Sequence, residues 1–174
     1  MLDLKSEHIY LRALEPEDID FLHAIENDTS IWELSHTQVP YSRFVLQQYI
    51  KNAKQDIYEA KQLRLVISDY EHRAVGLIDL FDFDFKNKRA GIGIIIKNEE
   101  ERGNGYGYES LRILINYCFT TLQLHQVYCN ISETNQISLR LFKKAGFEII
   151  GLKRDWNSTS KGFSNEYMLQ RIKD

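Results

Sequence analysis

Between Ile96 and Tyr108 the chain changes its period, and that change limits the fold more than any other feature. Before it, Ile94-Ile95-Ile96 ends an apolar, β-branched run of strand type. After it, Tyr108, Leu111, Leu114, Ile115, Cys118, Phe119 and Leu122 recur at the three- and four-residue spacing of an amphipathic helix. The junction, Arg102-Gly103-Asn104-Gly105-Tyr106-Gly107, holds three glycines in five residues. Without Cβ atoms such a turn lets a ligand's phosphates approach the backbone, and the helix behind it adds unbonded N–H groups and a positive dipole end. The same glycines also suit a turn needed only for chain geometry, so two readings stand. Neither common phosphate loop fits. There is no Gly-x-x-x-x-Gly-Lys-Ser/Thr run, and Gly103-x-Gly105-x-Gly107 misses the dinucleotide fingerprint.

Around this junction the pattern predicts one domain over residues 1–174. Strands are expected over 8–14, 63–67, 74–85, 89–96, 127–131, 147–152 and 166–172. Helices are expected from Glu15-Pro16, from Ser42, after the glycine turn, and from Thr134-Asn135 to a stop at Gly146. Residues 28–41 and 153–164 are polar and read as links. The short turns at 69–73 and 86–88 make a meander of the middle strands. The fold class is therefore α/β of the α+β type: a single mixed, mostly antiparallel central sheet of about seven strands flanked by about four helices.

Composition narrows the function. A net charge of −3 gives no global attraction for nucleic acid. No apolar run approaches membrane-span length, and no secretory leader is evident, so a soluble cytoplasmic protein is expected. Cys118 and Cys129 have neither metal-ligand nor disulfide-framework spacing, and the five histidines pair with no carboxylates in a ligand pattern. No metal is expected.

Arg102-x-x-Gly105-x-Gly107 resembles the Arg/Gln-x-x-Gly-x-Gly/Ala signature of the GNAT superfamily of acetyltransferases, and the element order is similar over nearly the whole chain. Leu11–Asp18 and Asn135–Phe147 resemble the branch of spermidine and ribosomal-protein N-terminal acetyltransferases. The resemblance implies acetyl-CoA as cosubstrate. It places the pyrophosphate on the backbone of Arg102, Gly103, Asn104, Gly105, Tyr106 and Gly107. It places the pantetheine along Ile94, Ile95 and Ile96, with Asn135, Ser138 and Phe142 on the facing helix. An open strand edge suits the two pantetheine amides. The acceptor is expected to be a polyamine or other primary amine, or a peptide N-terminus, with no nucleic acid or membrane partner and with a homo-oligomer possible.

The family pattern breaks at two positions. Many relatives carry a Tyr acid where this chain has Phe142, and a Glu base at a strand position matching Gly91. Tyr108, Tyr128, Tyr167 and Cys129 are substitutes for the missing acid, or ordinary core and rim residues. The thiolate can also leave unaided, or the protein binds CoA without catalysing transfer. Asp79, where relatives place a Glu near the amine, is either an amine ligand or a structural acid. From Ala13 to Ser42 there are seven acids and no Lys or Arg. That segment reads as a negative rim for a cationic amine, with Glu33 beside Trp32 and His36 as its most specific member, or as an acidic helix start favoured by the dipole.

Overall fold

The computed structural model describes residues 4–35, 37–53, 56–97 and 103–174. Seven strands form one sheet: β1 (Ile9–Ala13), β2 (Leu63–Asp69), β3 (Ala74–Asp84), β4 (Arg89–Ile96), β5 (Gln126–Ser132), β6 (Glu148–Thr159) and β7 (Gly162–Ile172), in the order β1-β2-β3-β4-β5-β7-β6. Every neighbouring pair is antiparallel except β4–β5. The parallel pair follows from the glycine turn. A strand that feeds a helix must return by a crossover, and a crossover sets the next strand parallel.

Both faces of the sheet are covered, because the central strands are apolar at both parities. In β3, Ile78 and Leu80 join the core under α5 (Tyr106–Thr120) and α6 (Gln136–Lys144), while Leu77 joins the core under α1 (Ile19–Glu26) and α3 (Arg43–Asn52). Leu111, Leu114, Ile115 and Cys118 of α5 sit on the first face, where each is at most 3% exposed. Four helices were expected and these are the four. Two single-turn helices join them: α2 (Trp32–Ser35), and α4 (Ile57–Ala60), started by the Asp56 side chain accepting from Tyr58 N at 2.7 Å.

The sequence reading fails at 153–164, expected to be a loop. β6 runs through it to Thr159, and β7 begins at Gly162, so the segment is a long hairpin. Its polarity misled because β6 is the outermost strand and is exposed along most of its length. Polar pairs replace apolar contacts there: Lys153 Nζ meets Glu166 Oε2 at 2.6 Å, and Asp155 N donates to Asn165 Oδ1 at 2.9 Å. The link at 28–41 is also more ordered than its composition suggests. It carries a 3-10 turn at Thr29–Ile31, with Ile31 buried, and then α2.

Candidate active site

The sheet opens at its centre. β4 and β5 pair only at Arg89↔Gln126, Ala90↔Val127 and Gly91↔Tyr128. Beyond that rung β4 stays on β3, from Leu80↔Ile92 to Gly76↔Ile96, while β5 stays on β7 as far as Ser132↔Glu166. The two strands diverge into a fork. Ile92–Ile95 therefore line it without a ladder on that side, and Ile94 and Ile95 are half-buried there. An extended ligand with alternating amide donors and acceptors matches such an edge.

The glycine turn stands at the mouth of the fork. Arg102 lies outside the described residues. Gly103 and Asn104 are exposed, and Gly105 is the N-cap of α5 at φ 83°, in the left-handed region that only glycine enters cheaply. The first bond into the helix is Glu109 N to Gly105 O, so Tyr106, Gly107 and Tyr108 keep N–H groups without intrahelical acceptors. Gly107 has a separate reason to be glycine. A Cβ there would lie 3.2 Å from Leu141 Cδ2 of α6 and 4.0 Å from Ile94 Cδ1 of β4. Its absence lets α5, α6 and the fork meet at one point.

Asn135 caps α6, its Oδ1 accepting from Ser138 N at 3.1 Å. Its amide NH₂ meets no described group and remains available to a ligand. Ser138 is half-buried in the first turn of α6. Phe142 faces inward: it is 3% exposed and packs edge-to-face on Phe147, with centroids 5.1 Å apart. Gly91 is explained by a second phenylalanine. A Cβ on Gly91 would fall 2.2 Å from Phe81 Cε2, so the Phe81 ring fills the space that a side chain at Gly91 would need.

The face towards α1 and α3 carries the charges. Asp79 pairs with Arg64 across the β2–β3 ladder. Arg64 Nε reaches Asp79 Oδ1 at 2.7 Å and Nη2 reaches Oδ2 at 3.0 Å, while Nη1 reaches Glu26 Oε1 of α1 at 2.5 Å. One guanidinium thus serves two carboxylates, and the cluster keeps a net charge of −1. Burial works against the Arg64 charge, but Asp79 first and then Tyr49 and Glu26 hold its pKa well above the ordinary value. Tyr49 lies beneath the guanidinium, 5.5 Å from ring centroid to Cζ, and burial raises its phenol pKa. On the other side Asp79 faces Gly93 of β4, where an added Cβ would meet only Phe81 Cε1, at 4.0 Å. The space above Gly93 is open, bordered by Asp79 and Phe81.

The acidic stretch is less bare than its own composition implies. Asp18 accepts two bonds from Arg12 (2.7 and 2.8 Å), Asp20 pairs with Arg43 at 2.5 Å, and Glu26 pairs with Arg64. These arginines stand just outside the segment or on another strand. The signal for Arg64 was its place in an apolar strand opposite Asp79, legible only once the β2–β3 register is known. Glu33 lies in α2, but its side chain and residue His36 are outside the described residues.

The other acid candidates are dispersed. Tyr128 sits at the last rung of the fork, edge-on to Phe81 with centroids 5.8 Å apart, and burial raises its pKa. Tyr108 lies away from the fork, on the α5–α6 groove under Lys144. Tyr167 pairs with Ile131 and is half-buried. Cys129 is 1% exposed and burial pushes its thiol pKa upward, so it stays protonated. Among the described residues no group of three His, Cys, Asp or Glu gathers closely enough to hold a metal ion. No described helix is long and apolar enough to cross a membrane.

Known proteins share both the pattern and the shape. A curated spermidine N(1)-acetyltransferase of Vibrio cholerae is 28% identical over 146 residues, covering 82% of this chain and 80% of its own. The Escherichia coli K12 spermidine N(1)-acetyltransferase is 27% identical over 143 residues, 82% of this chain and 74% of its own. The crystal structure of the Vibrio cholerae spermidine N-acetyltransferase in complex with CoA and spermine superposes at a TM-score of 0.84, with 24% identity over 94% of this chain and 95% of that one. The acetyltransferase (GNAT) domain model matches residues 8–148, from the strand that opens the sheet to the strand after α6. With its forked sheet and glycine-capped helix inside that match, the chain belongs to the GNAT acetyltransferase family.

Proposed function

We propose that this protein transfers the acetyl group of acetyl-CoA to a primary amine of a polyamine such as spermidine. The single observation that carries the proposal is the fork. A strand edge without a ladder leads directly to unbonded helix N–H groups, which fits a ligand with two amides followed by a diphosphate. In this reading residues 103–108 hold the pyrophosphate and Ile94–Ile96 pair with the pantetheine. The Asn135 amide donates to the same arm, and Ser138 stands beside it. The acceptor enters over Gly93, where the −1 cluster of Glu26, Arg64 and Asp79 attracts an ammonium group. The named activity of the relatives supports this choice of acceptor. The unpaired, buried Cys118 and Cys129 fit a reducing cytoplasm.

The amine attacks as its neutral form, and a backbone N–H of the open β4 edge meets the thioester oxygen as it gains charge. With Phe142 lacking a hydroxyl and Gly91 roofed by Phe81, neither usual proton-transfer group is present; the thiolate departs without a dedicated acid, and water takes the proton that the amine nitrogen loses as the amide forms. Those same two positions favour one other reading, a CoA-binding module without catalysis. A thiol-release assay with acetyl-CoA decides between them, run against spermidine, spermine, diamines and basic peptides. Release with polyamines is expected. Release only with peptides reassigns the acceptor, and CoA binding without release with any amine establishes the module.

A further inference from the structure

β4 turns a nearly bare face towards α1 and α3. In the β3–β4 ladder Phe81 stands opposite Gly91, Asp79 opposite Gly93 and Leu77 opposite Ile95, so these residues share that face. Gly91 and Gly93 carry no side chains, and two gaps result. They are not equivalent. The Phe81 ring occupies the first: a Cβ on Gly91 would lie 2.2 Å from its Cε2 and 2.3 Å from its Cζ. The second is open, with the same ring at its edge, since a Cβ on Gly93 would meet only Phe81 Cε1, at 4.0 Å. Tyr128, paired with Gly91 from the other side, meets the Phe81 ring edge-on, with centroids 5.8 Å apart and planes at 84°. The ring is thus held between the Tyr128 ring and the bare Gly91 backbone.

The length of the donor brings its thioester to this place. An arm lying between β4 and β5 cannot pass Gly91, because there the two strands are bonded to each other. Ile96 and Gly91 are five residues apart, which is about 17 Å of strand. The pantetheine arm, from diphosphate oxygen to sulfur, has the chain length of about four residues, or about 13 Å. An arm that starts at the glycine turn and follows the open edge from Ile96 therefore ends with its sulfur beside Ile92, between the two glycines. An amine held near Asp79 approaches across Gly93, so the carbonyl carbon faces the open gap. The acyl methyl then has the edge of Phe81 as its neighbour. A longer chain meets the ring in one direction and the path of the amine in the other.

We infer that Phe81 sets the length of the acyl group: its ring leaves room for acetyl at the Gly93 gap and closes the Gly91 gap to chains of four carbons or more. The inference rests on the reading of donor and acceptor given above and deepens it by naming the residue that selects the acyl group. Phe81 takes no part in the bonds that change. The amine nitrogen bonds to the acyl carbon, the carbon–sulfur bond breaks, the sulfur keeps its electron pair, and water takes the amine proton. The ring decides only which carbon chain can stand beside them.

A competition assay tests it. Acetyl-CoA and butyryl-CoA are supplied together in equal amounts with spermidine, and mass spectrometry of the products gives the ratio of the two kcat/KM values. The shared acceptor cancels any effect on amine binding. A methylene that an apolar pocket cannot take costs about 10- to 200-fold, so the unaltered protein should favour acetyl by roughly 100-fold or more. Phe81→Ala should raise the butyryl share at least tenfold. Gly91→Leu in that background fills the same space from the neighbouring strand and should restore the preference for acetyl, a reversal that a purely structural role of Phe81 does not produce. If Phe81→Ala does not fold, Phe81→Leu should raise the share of propionyl product in the same assay, with an unchanged melting temperature as the control. Equal products from the unaltered protein, or an unchanged ratio in a folded Phe81→Ala protein, overturn the gate and leave acetyl transfer intact. No product from either thioester overturns the transfer to spermidine and this inference together.

Discussion

Replacing Arg64 by Met isolates the charged cluster. The substitution keeps the apolar stem and removes three N–H···O contacts, leaving Glu26 and Asp79 as two carboxylates that are 17% and 18% exposed and have no cation between them. Breaking a fully buried pair costs about 3–5 kcal/mol, and this partial exposure places the loss near the lower bound, about 3 kcal/mol. For a domain of this size that is a drop of roughly 6–12 °C in melting temperature at pH 7. Thermal unfolding followed by circular dichroism at pH 7 measures it. Spermidine adds a functional arm: its ammonium groups can replace the guanidinium, so spermidine should raise the melting temperature of the variant more than that of the unaltered protein. A drop under 2 °C at pH 7 refutes the electrostatic account. Equal spermidine shifts refute the placing of the amine beside Asp79.

Two further outcomes follow from the same geometry. Phe142→Tyr adds a hydroxyl to a ring 3% exposed against Phe147; it should cost about 1–3 kcal/mol of stability and leave kcat unchanged, and a tenfold rise in kcat would show that the missing acid limits the rate. Asp18 is 7% exposed: burial raises its pKa, but the Arg12 bonds and the Glu15 N–H win and leave it below the usual 3.8. Its contribution is therefore present above about pH 3.8 and lost as pH falls through the lower folded value. An Arg12→Ala protein should lose stability at pH 7 and show a shallower acid limb in an unfolding series; an unchanged limb removes Asp18 from the acid transition.

The elements around the candidate site were legible because their signals are local. The strand end at Ile96, the glycine turn and the helix start at Asn135 are read from period changes and capping chemistry within a few residues, while the roles expected of them came from the family resemblance. What escaped depends on register and on contacts distant in sequence. Phe81 and Gly91 are ten residues apart, and only the β3–β4 ladder stacks the ring on the glycine. Asp79 could be judged an amine ligand or a structural acid, and the chain alone could not weigh the two without Arg64 opposite it. The outer hairpin was missed for a different reason: exposed edge strands carry no apolar alternation.

The sequence by itself determined the mixed sheet of about seven strands and the glycine turn that opens a helix, because each depends on spacing and backbone freedom over short stretches. The tertiary structure alone decided which charges meet. It placed one arginine between two acids beside the fork, set Arg112 and Lys144 against a single tyrosine ring, and turned Phe142 inward. Charge–charge energies fall with distance and with exposure to water, and both are properties of the folded chain rather than of its order of residues.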